Sequence, residues 1–134
     1  MSYNSGRDEI FWRLGHEKSD ELLNELNNLE NVNFQDETGI SYLQVACINH
    51  YSEAVKVLLE NGADLNITDK YGRKPIIFAL GMKNPDNTEI LEMFLKHGLD
   101  LNMSYRDSTL KDMIESFDND EYNILIKKYE NLHD

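Results

Sequence analysis

Two apolar faces of identical spacing dominate the middle of the chain. Between Ser52 and Asn61, the residues Ala54, Val55, Leu58 and Leu59 stand at i, i+1, i+4 and i+5, which is one face of a helix. Ile90, Leu91, Phe94 and Leu95 repeat that pattern further on. Each run closes near a glycine, Gly62 or Gly98, the residue that most readily ends a helix with positive φ. A shorter apolar segment precedes each run, Tyr42 to Ile48 and Pro75 to Leu80. Pro75 suits a first helical position, where a missing N–H costs no hydrogen bond. Asp36-Glu37-Thr38-Gly39 and Asp69-Lys70-Tyr71-Gly72 stand before these segments and have the composition of turns. The unit is turn, short helix, longer helix.

The unit recurs at a nearly fixed period. Asn33 and Asn66 lie 33 positions apart, as do Asp36 and Asp69, Gly39 and Gly72, and Ala46 and Ala79. Glu53, Leu59 and Gly62 recur as Glu89, Leu95 and Gly98, now 36 apart. The added residues fall between Ala79 and Glu89, where the composition predicts a loop over Lys83 to Thr88, with Pro85 inside it, lengthening the turn between two helices. A period near 33 is the signature of a solenoid. Toward the N-terminus, Ile10, Phe11, Trp12 and Leu14 suggest a short helix, Gly15 a break, and Leu22 and Leu26 a second helix aligned with Val55 and Leu59. Trp12 is expected to pack the first helix against the next unit. Toward the C-terminus, Thr109, Leu110 and Met113 suggest a short helix, and Tyr122, Leu125, Ile126 and Tyr129 a longer one capped by Asp118 or Asp120. The expectation is a single all-α domain over 1–134, a solenoid of about four helix pairs. Its parts are a cap over 1–33, repeats over 34–66 and 67–102, and a cap over 103–134. Leu43, Ala46, Val55, Leu58, Leu59, Ile76, Ala79, Leu91 and Leu95 form its predicted core.

The residues carry a family resemblance. Asp36, Gly39, Ser41, Leu43, Ala46, Leu58, Leu59, Gly62, Ala63, Asp64 and Asn66 in one unit, and Asp69, Gly72, Pro75, Ile76, Ala79, Leu95, Gly98, Asp100 and Asn102 in the next, resemble the ankyrin repeat. That pattern begins with Asp, has Gly three residues later, continues Thr-Pro-Leu-His-x-Ala and closes Leu-Leu-x-x-Gly-Ala-Asp-x-Asn. The match is specific over 34–102. It departs from the pattern where Ser41 and Lys74 replace the Thr and Gln44 and Ile77 the His, so the turn–helix junctions are expected to be less regular. The resemblance implies a protein-binding module whose partners meet the second, third and fifth positions of each turn, the ends of the short helices and the residues before the closing glycines. Those are Glu37, Thr38 and Ile40, then Lys70, Tyr71 and Arg73, with Ile48, Asn49, Met82, Asn61 and His97. Tyr71 is the expected anchor, and Arg73 is expected to take a partner carboxylate in bidentate fashion.

Charge narrows the partner. The 134 residues carry 13 Lys and Arg against 25 Asp and Glu, a net charge of −12. Nucleic acid and anionic membrane surfaces are therefore excluded as partners, because both demand cationic surface. The charge is uneven: residues 1–40 are net −6, 41–67 net −2, 68–111 net +1 and 112–134 net −5. Lys70, Arg73, Lys74 and Lys83 cluster in the balanced third segment. Acidic caps favour encounter with a basic protein. The one cysteine, Cys47, cannot form an internal disulfide, reads as a small core residue and fits a reducing, cytoplasmic setting. No secretory apolar region opens the chain, and the longest apolar run falls far short of the roughly 20 residues that span a bilayer.

No chemistry is expected. The sequence has no glycine-rich phosphate loop, no zinc-spaced cysteines and no His-Glu-x-x-His. His16, His50, His97 and His133 are scattered over different units, so neither metal nor cofactor is predicted. Tyr71 and Tyr105 sit in polar surroundings near turn tips and read equally as structural residues or as binding anchors. Taken as a complete chain from Met1, the protein is expected to be a monomer when free and to act by binding alone, blocking or neutralising a partner. Small acidic proteins of this kind resemble bacterial immunity proteins, which bind a cognate, often basic, toxin. The alternatives are a scaffold or host-directed effector binding another protein and, remotely, an enzyme with an unrecognised site.

Overall fold

The apolar periodicity is realised as eight helices and one short hairpin among the described residues of the computed structural model, which are 6–81 and 85–132. The first unit holds α1 (Gly6–His16) and α2 (Asp20–Leu26), the second α3 (Tyr42–Ile48) and α4 (Ser52–Glu60). The third holds α5 (Pro75–Ala79) and α6 (Pro85–Lys96). A hairpin of β1 (Ser104–Tyr105) and β2 (Ser108–Thr109), antiparallel with Ser104 opposite Thr109, leads into α7 (Leu110–Glu115) and α8 (Asp120–Leu132). α3 packs between α1 and α5 while contacting its own partner α4, and α4 in turn packs between α2 and α6; α6 then meets α8. Two layers result, the short-helix layer with α3 and α5 on one side and α2, α4, α6 and α8 on the other; α1 joins the short-helix layer although its 11 residues exceed the 7 of α2.

The core lies between the layers. Leu43, Ala46, Val55, Leu58, Leu59, Ile76, Ala79, Leu91 and Leu95 are all buried, as the periodicity requires. Cys47 is buried with them, and burial pushes its thiol up, away from the reactive thiolate. At the helix exits the backbone turns in the same way three times. Tyr51 N–H donates to Ala46 C=O, Ala63 N–H to Leu58 C=O and Leu99 N–H to Phe94 C=O, satisfying carbonyls the helix leaves open. Gly62 and Gly98 hold the positive φ at two of these exits and His50 at the third.

Several expectations change. Asn119, not Asp118 or Asp120, caps α8, its Oδ1 accepting from Glu121 N–H (2.9 Å) and Tyr122 N–H (3.3 Å), and Gly15 lies inside α1 instead of breaking it. The added residues of the third unit do not form a loop over Lys83 to Thr88. Lys83 lies outside the described residues, and Pro85 opens α6, which has 12 residues against the 9 of α4. The lengthened period is thus taken up as one more helical turn, with Asn87 buried inside it. A proline read as a loop residue is equally at home at a helix start, and the buried face of α6 begins two residues after it, at Asn87. Trp12 does not pack against the next unit; it is 52% exposed and stacks on His16 with ring centroids 4.4 Å apart. Phe11 does that packing, stacking on Tyr42 at 4.5 Å and lying 5.9 Å from Phe34. Successive helical residues point about 100° apart, so Phe11 and Leu14 share the inner face and Trp12 turns out of it. The first turn–helix junction is also regular. Ser41 N–H donates to Gln44 Oε1 (2.8 Å) while Gln44 N–H donates to Ser41 Oγ (3.3 Å), a reciprocal cap. Gln44 Nε2 then donates to Arg73 C=O (3.0 Å) and ties this unit to the next. At the second turn–helix junction α5, behind Lys74, has no such side-chain cap.

The turns themselves are stacked. Lys70 N–H donates to Thr38 C=O (3.0 Å), and Gln35 Nε2 to Thr68 C=O (2.8 Å). Gly39 makes this approach possible: its φ is +82°, and a Cβ there would lie 2.8 Å from Lys70 N and 2.9 Å from Asp69 Cα. Gly72 has a similar φ of +76° but open space around it. Gly39→Ala should therefore lose more stability than Gly72→Ala, the first exceeding about 1 kcal/mol because backbone strain and overlap add. Urea titrations of the two variants followed by circular dichroism measure the difference; equal losses would show that the turns are not in contact.

Candidate binding surface

The second turn, Asp69 to Arg73, is built around one carboxylate. Asp69 is buried, and its Oδ1 accepts from Tyr71 N–H (2.9 Å) and Arg73 N–H (3.0 Å) while Oδ2 accepts from Arg73 Nε (2.7 Å). The first turn is laid out alike, with Asp36 Oδ1 accepting from the Thr38 N–H and hydroxyl and from Ile40 N–H. Burial pushes the Asp69 carboxyl up, but the hydrogen bonds from Arg73 and Tyr71 outweigh it and hold the group below the usual carboxylate range. A depressed folded-state pKa contributes stability that is present above the unfolded value and is lost as pH falls through the folded one. Asp69→Asn should thus destabilise the fold by about 1.5–3 kcal/mol at pH 7. The gap from the parent should close below the ordinary carboxylate value of 3.8. Thermal melts from pH 7 to pH 2 check this; a gap independent of pH would remove the charged carboxylate from the account.

Around that carboxylate the side chains are fixed. The Arg73 guanidinium lies 5.1 Å from the centroid of the Tyr71 ring and 4.9 Å from that of Phe78. Lys70 Nζ lies 5.2 Å from the Tyr71 ring. Tyr71 is 69% exposed, so its ring is held by two cations yet open to a partner. Such pairs contribute about 0.5–1 kcal/mol each at exposed sites, enough to restrict the rotamers of Tyr71 before any partner arrives. The bidentate role expected of Arg73 changes accordingly: its Nε is already committed to Asp69, which leaves the Nη groups.

The other expected contact residues divide. Glu37 and Lys70 are exposed at the tips; Thr38 and Ile40 are half-buried, with Thr38 engaged by Lys70 through its backbone. Ile48 is 41% exposed at the end of α3, and Asn49 next to it donates its side-chain N–H to Val45 C=O (3.0 Å). Asn61 donates to Val57 C=O and to Asn27 Oδ1, both at 2.8 Å, and so closes α4 and joins it to the first unit. His97 is exposed at the end of α6, and Met82 lies outside the described residues. Residues missed from the sequence include Phe78, which is not singled out within the apolar segment Pro75 to Leu80 but provides the second ring against the Arg73 guanidinium. Trp12 was also missed, and its exposure on the short-helix layer was hidden in the apolar run Ile10-Phe11-Trp12. Among the described residues no group of three or more His, Cys, Asp or Glu is placed to hold a metal. No helix among them is long and apolar enough to cross a membrane.

The ankyrin-repeat family model, in three copies, matches residues 12–105. The chain belongs to the ankyrin-repeat family. Among curated proteins, the human BCL-6 corepressor-like protein 1 is 32% identical over 71 residues, which is 53% of this chain and 4% of that protein. This ankyrin chain therefore spans a small fraction of that relative's length, and the similarity speaks for the repeat. Ankyrin repeats indicate a protein-binding module, and proteins of the family generally act without catalysis. A stacked turn array with one exposed, pre-ordered aromatic tip is consistent with that use.

Proposed function

We propose that this ankyrin-repeat protein blocks a single, net basic protein partner, in the manner of an immunity protein that neutralises a toxin in a reducing cytoplasm. The contact is made through the turn tips and the short-helix layer, with Glu37, Thr38, Ile40, Lys70, Tyr71 and Arg73 at the tips, and Ile48 and Asn49 at the end of α3. Asn61 and His97 form the rim. The observation that carries this reading is Tyr71, an aromatic ring more than two-thirds exposed yet held by Arg73 and Lys70. Interface hot spots are enriched in such residues, and pre-ordering lowers the entropic cost of using them. Trp12, also exposed on the short-helix layer, extends the surface to α1. The acidic ends of the chain, net −6 over 1–40 and −5 over 112–134, support the choice of a basic partner.

The test is growth rescue. Each reading frame adjacent to the gene is expressed alone and, where it arrests growth, together with this chain. Rescue by the parent chain, lost in the Tyr71→Ala and Trp12→Ala double variant while expression is maintained, is the expected result. Absence of any toxic neighbour, or rescue unaffected by both substitutions, would overturn the proposal.

A further inference from the structure

Next to Tyr71 the second tip faces the β1–β2 hairpin across a cleft of about 270 Å³. Its lining includes Tyr71, Lys74, Ile77, Met103, Tyr105 and Arg106. For a chain of net charge −12 this is an anomalous place: two cations there have no carboxylate partner among the described residues. Lys74 Nζ meets only neutral acceptors, Asn66 Oδ1 at 3.5 Å and Met103 Sδ at 3.6 Å. Arg106 is stacked on Tyr105, its guanidinium 5.4 Å from the ring centroid. Of the nearby acids, Asp69 is neutralised by Arg73, and Asp107 is exposed without an ion pair. A lysine held by a thioether and a long amide contact gains on meeting a carboxylate, because charge-assisted hydrogen bonds are shorter and stronger than neutral ones.

We propose that this cleft takes an acidic peptide segment of the partner, with a carboxylate between Lys74 and Arg106 and an apolar or aromatic side chain against Ile77 and Met103. The size of the cleft favours this occupant. At about 270 Å³ it lies just below the usual range for sites that enclose a whole small molecule, and it suits one or two side chains of a longer chain. The proposal rests on the turn-tip reading above and adds sign and register to it. Acidic caps attract a basic partner at long range, while a cationic cleft between them accepts an acidic segment at contact. Charges of opposite sign at separate places on one surface admit only one register of the partner, and a uniformly acidic or basic competitor meets like charge at one of them.

The test uses the full chain and two fluorescein-labelled hexapeptides, one alternating glutamate with phenylalanine and one alternating glutamine with phenylalanine, read by fluorescence anisotropy at low salt. The glutamate peptide should bind at least about tenfold more tightly, although the net charge of the chain opposes it. That preference should vanish in the Lys74→Gln and Arg106→Gln double variant, which avoids the steric and electrostatic strain of charge reversal, and should persist in Glu21→Gln. Equal binding of the two peptides, a preference that survives the double substitution, or tighter binding of a ten-nucleotide oligothymidine than of either peptide would each overturn the proposal. In the growth assay, rescue lost with Tyr71→Ala and Trp12→Ala but kept with Lys74→Gln and Arg106→Gln would overturn the acidic-segment proposal and leave the turn-tip reading standing.

Discussion

Leu59→Ala should lower the free energy of unfolding by about 2–5 kcal/mol, the range for truncating a buried leucine in a core that cannot collapse around the gap. Leu59 is only 4% exposed, on a helix that contacts α2, α3 and α6. In a solenoid each unit is supported chiefly by its neighbours, so a defect in α4 weakens two interfaces at once. Against a typical total of about 5–15 kcal/mol for a domain, such a loss is a large fraction. Urea denaturation followed by circular dichroism measures it, with Ile124→Ala as the control because Ile124 is 65% exposed on α8. A loss for Leu59→Ala no larger than the control would contradict the packing of the longer-helix layer. The last unit should be less sensitive to any one contact. It is lashed to α6 by several polar links, Lys128 to Glu92 (3.0 Å), Tyr129 hydroxyl to Glu92 (3.2 Å) and Thr88 hydroxyl to Glu121 (2.8 Å).

Tyr71→Ala should weaken the complex with the partner by about 2 kcal/mol or more, and chiefly through faster dissociation. The ring is an exposed tip residue, so the fold itself should be little affected, and a binding loss without a stability loss is the diagnostic pair. Acidic residues of the first unit should behave oppositely, changing association rate with little effect on dissociation. The choice of acids matters. Glu17 and Glu25 both pair with Arg13, so neutralising them would confound structure with steering. Glu21 and Glu30 are exposed and make no ion pair among the described residues. Glu21→Gln with Glu30→Gln should slow association at low salt, and the effect should fade as the Debye length shortens below about 8 Å at higher ionic strength. Surface plasmon resonance at two salt concentrations separates the two classes. Unchanged dissociation in Tyr71→Ala would move the interface away from the second turn.

Helix positions, the two-layer core and the family were legible in the linear order of residues because each unit solves its own local problem. Apolar spacing within a dozen residues sets a helical face, and glycine or a turn carboxylate punctuates it. Repetition at a near-constant interval then dictates that the faces stack, and for that reason Leu43, Val55, Ile76 and Leu91 were all assigned inward correctly. The extra turn of α6 was misplaced because proline reads alike in a loop and at a helix start, and only the buried face behind Asn87 decides between them. Trp12 was misplaced for a related reason: in a short all-apolar run the composition does not say which residue points out, and the answer depends on Phe34 and Tyr42 receiving Phe11 instead. At the candidate surface, Tyr71 was visible as an aromatic residue among polar neighbours. Its clamp by Arg73 is local to the turn, two residues along the chain, but the cleft shared by Lys74, Met103 and Arg106 joins residues about one repeat apart. Local pattern determines which residues lie on a face or at a tip; which of them meet across neighbouring units depends on the rise and rotation between units, and those are properties of the stacked structure alone.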